Sequence, residues 1–244
     1  MPQFCIKIAG HTARINALFE STPQYFRAYL TEDTPEFSVA VTRADIDFEQ
    51  QDLLEEALRE GFRPRTFTDP FLERATVQRR FAEFLLGHDT LLLHGSAVCV
   101  DGEGYIFTAN SGTGKSTHTR LWREVFGARA VMVNDDKPFV QLTPEGVLLH
   151  GSPWSGKHGL DTNIAVPLKG ICVLERGSED HIRPAAPGEV LPMLEKQSYR
   201  PLAEENIFRF QGLLRELSRR VPLWHMACTR NASAARTAYD AMHN

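Results

Sequence analysis

The residues best placed to do chemistry run from Ala109 to Ser116, Ala-Asn-Ser-Gly-Thr-Gly-Lys-Ser. They fit a small residue, four variable positions, then Gly-Lys-Ser, the pattern of a phosphate-cradling loop. Gly112 and Gly114 permit the tight curl that turns successive backbone N–H groups toward one anion. A helix opening at Lys115 adds the positive end of its dipole. The Lys115 ammonium neutralises β- and γ-phosphates, and the Ser116 hydroxyl is a ligand for Mg²⁺. Asn110, Ser111, Gly112, Thr113, Gly114, Lys115, Ser116 and Thr117 are therefore the expected triphosphate-binding set, with ATP and Mg²⁺ as cofactors. Ala109 takes the place of the more usual first glycine, which a negative φ allows.

Asp135 follows Lys115 by 20 positions, closing the apolar run Val131-Met-Val133 together with Asn134 and Asp136. An apolar run ending in acids is the signature of a strand that carries a carboxylate to a metal-bound phosphate. The spacing leaves room for one helix and one strand only. Two adjacent carboxylates suggest divided labour, one on the metal and one accepting a proton from an attacking hydroxyl. Further on, His150-Gly-Ser-Pro-Trp-Ser-Gly-Lys-His-Gly159 offers hydroxyls, an aromatic plate at Trp154 and a cation at Lys157. That set suits an acceptor substrate or the phosphoryl group in flight. A surface loop with Trp154 packed beneath it is the plainer alternative.

The elements that must position these groups are legible in part. Leu91 to Val100 reads as a strand, Asp101 to Gly104 as a turn and Tyr105 to Ala109 as a second strand. The loop strand is thus the second arm of a hairpin in a mixed sheet. Thr117 to Phe126 reads as a helix, Ala130 to Val133, Gly146 to His150 and Leu168 to Leu174 as strands. Glu205 to Arg219 has a one-sided apolar face, Leu223 to Cys228 is a late strand, and Ser233 to Met242 a closing helix. Before residue 89 the texture differs. Phe4 to Ile8 and Phe37 to Thr42 alternate like strands, while Ala13 to Leu18 and Pro23 to Leu30 fit strand or helix. Asp52 to Glu60 reads as a short helix closed by Gly61. A second helix starts at Thr68-Asp-Pro70 and ends by Gly87. Residues 1–88 are expected to form a small α+β domain for packing or substrate docking, and residues 89–244 the catalytic domain.

His94-Gly95 before the hairpin, the loop Ser111 to Ser116 and the Asp135-Asp136 pair together resemble the catalytic domain of HPr kinase/phosphorylase. More distantly they resemble the nucleotide half of phosphoenolpyruvate carboxykinase. The resemblance covers roughly residues 90–175. It implies an α/β (mixed α+β) P-loop kinase domain. It also implies that His94 sits beside the phosphates, that Asp135 is the general base and that Asp136 is on the metal side. With Lys115 and Lys157, these form the expected catalytic set, and Ser116 and Asp136 the expected metal ligands. The activity implied is ATP-dependent transfer to a hydroxyl on a protein, a peptide or a small molecule, by a homo-oligomer. The family's Arg-Gly-rich segment with its metal-binding glutamate is replaced here by His150 to Gly159. A nucleotide-binding sensor or maturation partner without turnover is the alternative.

Bulk properties bound the rest. Net charge is −4, with a sequence pI near 6.1, so no global attraction to nucleic acid or anionic membrane is expected. The basic stretches Arg74 to Arg80 and Arg215 to Arg220 lie among acids and read as solvated helix faces. Cys5, Cys99, Cys172 and Cys228 form no Cys-x-x-Cys pair, and Cys99 and Cys172 read as buried small hydrophobes. With no signal pattern at the N-terminus and no long apolar run, a cytoplasmic protein is expected.

Overall fold

The computed structural model describes residues 1–59 and 63–243, and the chain divides into two compact units, Met1–Phe84 and Leu85–Asn244. In the first unit, β1 (Gln3–Ile8) and β2 (His11–Asn16) form an antiparallel hairpin. Its two-residue turn, Ala9-Gly10, has positive φ at both positions, 49° and 83°. That is the backbone hand which matches strand twist. α1 (Thr22–Tyr25) and a 3-10 turn at Arg27–Tyr29 follow, so the ambiguous stretch from Pro23 is helical. β3 (Phe37–Ala40) then adds to β2 in parallel.

α2 (Arg43–Arg59) begins nine residues before the expected start. The cause is a capping box: Thr42 N donates to Asp45 Oδ2 at 2.9 Å and Asp45 N to Thr42 Oγ1 at 3.3 Å. Gly61, the expected end of this helix, lies outside the described residues. α3 (Asp69–Leu86) starts beside Pro70 and packs Phe81 and Phe84 on Phe37 of β3, the Phe84 ring stacked at 3.8 Å between centroids. Its arginines are not all solvated. Arg79 is buried and donates to buried Glu49 at 2.6 Å. Burial raises the Glu49 carboxyl's pKa, while the Arg79 charge and hydrogen bond work to lower it.

The second unit is a large mixed sheet between two pairs of helices. The run expected as one strand from Leu91 to Val100 is two, β4 (Thr90–Leu92) and β5 (Ser96–Val100). The break falls at His94-Gly95, where a Cβ on Gly95 would stand 3.1 Å from the Phe107 carbonyl oxygen. β6 (Glu103–Thr108) pairs antiparallel with β5 through the turn Asp101-Gly102, again with two positive φ values, 51° and 86°. α4 (Lys115–Phe126) leads to β7 (Ala130–Asn134), β8 (Phe139–Leu142) and β9 (Val147–His150). The long β10 (Ala165–Arg176) pairs with β9 at its start and with β6 and β12 (Leu223–Cys228), in parallel, along the rest. β11 (His181–Pro184) edges β12, and α5 (Pro187–Lys196), α6 (Glu204–Arg220) and α7 (Ala232–His243) complete the unit. Strand order is β4-β8-β9-β10-β6-β5-β7, with β12 and β11 on the other side of β10.

Side-chain alternation divides the core between two faces. Ala97, Ile106, Ile171 and Val173 join Leu213 and Leu217 of α6 on one. Val98, Tyr105, Phe107, Cys172 and Leu174 join Leu121 and Trp122 of α4 and Ala234 and Ala238 of α7 on the other. Cys99 and Cys172 are buried, and all four cysteines are free thiols. Among the described residues, no helix is long and apolar enough to cross a membrane.

One glycine is required by close packing rather than by backbone angle. A Cβ on Gly151, just after β9, would lie 1.9 Å from the Thr162 carbonyl oxygen and 3.0 Å from that of Val133. Both obstacles are backbone, so the chain itself must move. Gly151→Ala is expected to cost about 3 kcal/mol or more, read as a lowered denaturation midpoint in urea. An unchanged midpoint would show that the 150–162 segment yields without cost.

Candidate functional site

β6 ends at Thr108 and α4 starts at Lys115, so residues 109–114 form a strand-to-helix loop. Gly112 and Gly114 have φ of 77° and 125°, a region that side chains with a Cβ rarely adopt. Gly114 caps the helix, and its carbonyl accepts from His118 N at 2.9 Å. Lys115 Nζ donates to the Ala109 carbonyl at 3.1 Å, folding the side chain back over the loop. Asn110, Ser111 and Gly112 are exposed, and Thr113 to Thr117 are half-buried. Two further cations meet the loop: Arg176 at the end of β10 donates to the Gly112 carbonyl at 2.6 Å, and Lys196 at the end of α5 to Asn110 Oδ1 at 2.8 Å. Nothing local in the sequence marks Lys196. Its place depends on how α5 lies on the sheet.

The acids stand at the end of β7. In the sheet this strand is separated from the loop strand β6 by β5, so β5 is the element between loop and acids. Asp135 is buried, 8% exposed, and accepts from Ser96 Oγ of β5 at 2.6 Å. Ser96 Oγ in turn lies 2.7 Å from Thr119 Oγ1 of α4, and Thr119 Oγ1 lies 3.3 Å from the Ser116 carbonyl. This chain of oxygens ties the acid strand to the first turn after the loop. Ser96 and Thr119 read as ordinary strand and helix positions in the sequence, and only the β5–β7 pairing brings them to the acid.

Asp136 turns the other way, with its side chain 32% exposed, and meets His94 Nε2 at 3.2 Å. Burial opposes its charge, but the His94 hydrogen bond and the nearby Lys137 and Lys115 outweigh burial and hold the carboxyl below its usual pKa. His94 is pushed the same way, mainly by burial and also by Lys137 and Lys115, with Asp136 opposing. Its imidazole is therefore neutral at pH 7, and its N–H donates to an ionised Asp136. Asn134 holds the corner: its Oδ1 accepts from Asp136 N at 2.7 Å and Lys137 N at 2.6 Å.

The 150–159 segment is only partly a surface loop. His150 is buried and its Nε2 meets Gln141 Oε1 at 3.1 Å, a structural contact. Ser152 donates to the Lys137 carbonyl at 2.6 Å and Ser155 to Asp161 Oδ1 at 2.5 Å, both buried. Trp154 is 6% exposed and packs edge-on to Phe139. The expectation that these three present hydroxyls and an aromatic plate to an acceptor is therefore corrected, because each is used inside the fold. Gly156, Lys157 and His158 are exposed in a 3-10 turn. Gly156, at φ 66°, passes so close to Asp136 that a Cβ would stand 3.2 Å from the Asp136 Cβ. The turn bearing Lys157 thus runs directly beside Asp136.

The candidate ligands that the loop and the acids offer a metal, Ser116, Asp135 and Asp136, are all oxygen donors. Among the described residues no three His, Cys, Asp or Glu side chains cluster as a protein-only metal cage. A hard cation that keeps waters and phosphate oxygens in its shell, such as Mg²⁺, needs only one or two carboxylates, and the donor set fits it.

No family model matches the chain, and no curated protein matches it. Among solved structures, the chain is similar to the HPr(Ser) kinase/phosphatase from Coxiella burnetii, at 10% identity, covering 63% of this chain and 99% of that one, with a TM-score of 0.37. The relationship is a distant structural one.

Proposed function

We propose that this chain is an ATP- and Mg²⁺-dependent phosphotransferase, a P-loop kinase of the HPr kinase type, that moves the γ-phosphate to a hydroxyl acceptor. The observation that carries the reading is the oxygen chain Asp135–Ser96–Thr119, with links of 2.6 and 2.7 Å, that joins Asp135 to the first turn of α4. It supports reading the Gly-rich loop and the acids at the end of β7 as parts of one site. The loop N–H groups and Lys115 hold the phosphates, with Arg176 and Lys196 bracing the loop. Ser116 and the more exposed Asp136 hold Mg²⁺, which supplies charge neutralisation on the transferring group. His94 donates to Asp136 and fixes its orientation. Asp135 accepts the acceptor's proton as the acceptor oxygen bonds to the γ-phosphorus. The bond to the β–γ bridging oxygen breaks and ADP leaves. Lys157, on the turn beside Asp136, offsets charge on the phosphoryl group. The acceptor is a Ser or Thr of a protein or peptide, or a small hydroxylated metabolite.

A second reading is a nucleotide-binding sensor or maturation partner. It draws on the absence, among the described residues, of three His, Cys, Asp or Glu side chains grouped so as to hold a metal ion. The two separate on γ-labelled ATP in lysate. Transfer of label to an acceptor supports the kinase. Tight ATP binding with neither transfer nor ADP formation supports the sensor.

A further inference from the structure

Lys196 is the last residue of α5, and its ammonium donates to Asn110 Oδ1 at the start of the Gly-rich loop, at 2.8 Å. Its backbone is pinned from behind. Val190 and Leu194 of the helix are buried, and the carbonyl of buried Gln197 accepts from His94 N at 2.5 Å. Tyr199 N donates to the Leu92 carbonyl at 2.9 Å, so the chain after Lys196 lies along the strand that leads into His94. The loop is tied to the same place by the strand that feeds it: Thr108 Oγ1, at the end of β6, donates to the His94 carbonyl at 3.0 Å. Thr108, His94, Gln197, Lys196 and Asn110 thus close a ring of contacts, and the His94 ring meets Asp136 at 3.2 Å. Lys196 therefore reaches the loop from the side of the acids.

The charges point the same way. Lys115 donates to the Ala109 carbonyl at 3.1 Å, so two ammoniums meet adjacent residues on the entry arm of the loop. The Lys115 charge is felt at both His94 and Asp136, where it contributes to lowering each pKa. A phosphate-loop lysine touches the β- and γ-phosphates, so this arm and the acids mark the γ end of a bound triphosphate. Lys196 is exposed, its acceptor Asn110 is neutral, and among the described residues no carboxylate pairs with it. A phosphate oxygen is a stronger acceptor for an ammonium than an amide oxygen, so exchange of Asn110 for a phosphate is favoured.

We propose that Lys196 is a further catalytic residue, which braces Asn110 in the free protein and moves to an oxygen of the γ-phosphate when ATP binds. The proposal rests on the reading of the chain as a P-loop kinase. As the acceptor oxygen bonds to the γ-phosphorus, its proton passes to Asp135, the bond to the bridging oxygen breaks and ADP leaves. Lys196 offsets the charge spread over the equatorial oxygens of the group in flight, the part an arginine finger plays in other phosphoryl-transfer enzymes.

The test titrates ATP and ADP, each with Mg²⁺, onto the full chain by calorimetry, and follows label transfer in lysate from γ-labelled ATP at saturating concentration. The unaltered protein is expected to prefer ATP to ADP. Lys196→Met, at an exposed position, is expected to bind ATP about tenfold more weakly, to bind ADP as before and to transfer label about 10²-fold more slowly. Lys196→Arg keeps the charge and is expected to keep the preference for ATP. Equal weakening of ATP and ADP by Lys196→Met would reduce Lys196 to a brace on the loop and overturn the proposal. An unchanged transfer rate in Lys196→Met would overturn it too, by removing the residue from the transfer step. Absence of transfer by the unaltered protein would overturn the kinase reading, while the two titrations still decide whether Lys196 meets the γ-phosphate. Absence of binding by either nucleotide would overturn the phosphate loop and the proposal with it.

Discussion

Asp135→Asn is expected to leave ATP binding intact and to lower phosphoryl transfer by about 10²–10⁴-fold, the usual contribution of a positioned proton acceptor. The substitution is nearly isosteric, and the amide oxygen can still accept from Ser96 Oγ, now at 2.6 Å from the carboxylate. The oxygen chain to α4 therefore survives, and with it the shape of the loop. What is lost is the ability to take up a proton. Single-turnover transfer from γ-labelled ATP, beside an ATP titration, separates the two effects. Asp136→Asn serves as the contrast. Its side chain is one-third exposed and paired to His94, and its loss is expected to appear first as a higher Mg²⁺ requirement. Full transfer by Asp135→Asn would remove that residue from the role of base.

Lys115→Met is expected to weaken ATP binding by about 10–100-fold. A charge-assisted hydrogen bond contributes about 1.5–3 kcal/mol, and each 1.4 kcal/mol is tenfold in affinity. Methionine preserves length and helix propensity, so α4 keeps its first turn. The lysine is folded back on the Ala109 carbonyl at 3.1 Å, so its ammonium stays over the loop rather than in bulk water. An unchanged melting temperature without nucleotide, together with the loss of ATP-induced stabilisation, is the expected pattern. Unchanged affinity would mean that residues 109–116 are a glycine-rich turn with an incidental lysine.

Much of the second unit could be read from local pattern, because its signals are local. The two-residue turn at Asp101-Gly102 announces its hairpin, and the one-sided spacing of Phe210, Leu213, Leu214 and Leu217 announces α6. The helix after the loop follows from the glycines that permit its entry. Local pattern gives way where a distant partner outvotes it. Leu91 to Val100 is apolar enough for one strand, yet backbone bonds from Leu93 N to the Pro138 carbonyl at 3.1 Å and from Gly95 N to that of Asp136 at 3.0 Å bend it into two. β8 has no local signature: its four residues lie between two turns, and its partners β4 and β9 pair with it from opposite sides. The early start of α2 is set by Thr42-x-x-Asp45, a local cap that precedes a stretch with little apolar periodicity.

The 150–159 segment shows the limit most clearly. Composition makes Ser152, Trp154 and Ser155 look like an acceptor's surroundings, but burial is a property of the tertiary structure, and it turns them inward.

The loop from Ala109 to Ser116 and the acids at 135 and 136 were determined by sequence alone, since backbone curl, helix onset and strand termination depend on neighbours within a few residues. Tertiary structure decided what surrounds them. The insertion of β5 between loop strand and acid strand puts Ser96 and Thr119 between Asp135 and α4. The packing of α5 brings Lys196 to Asn110, and the end of β10 brings Arg176 to Gly112. Such contacts join residues tens of positions apart, and their energy exists only once the sheet order brings those residues together.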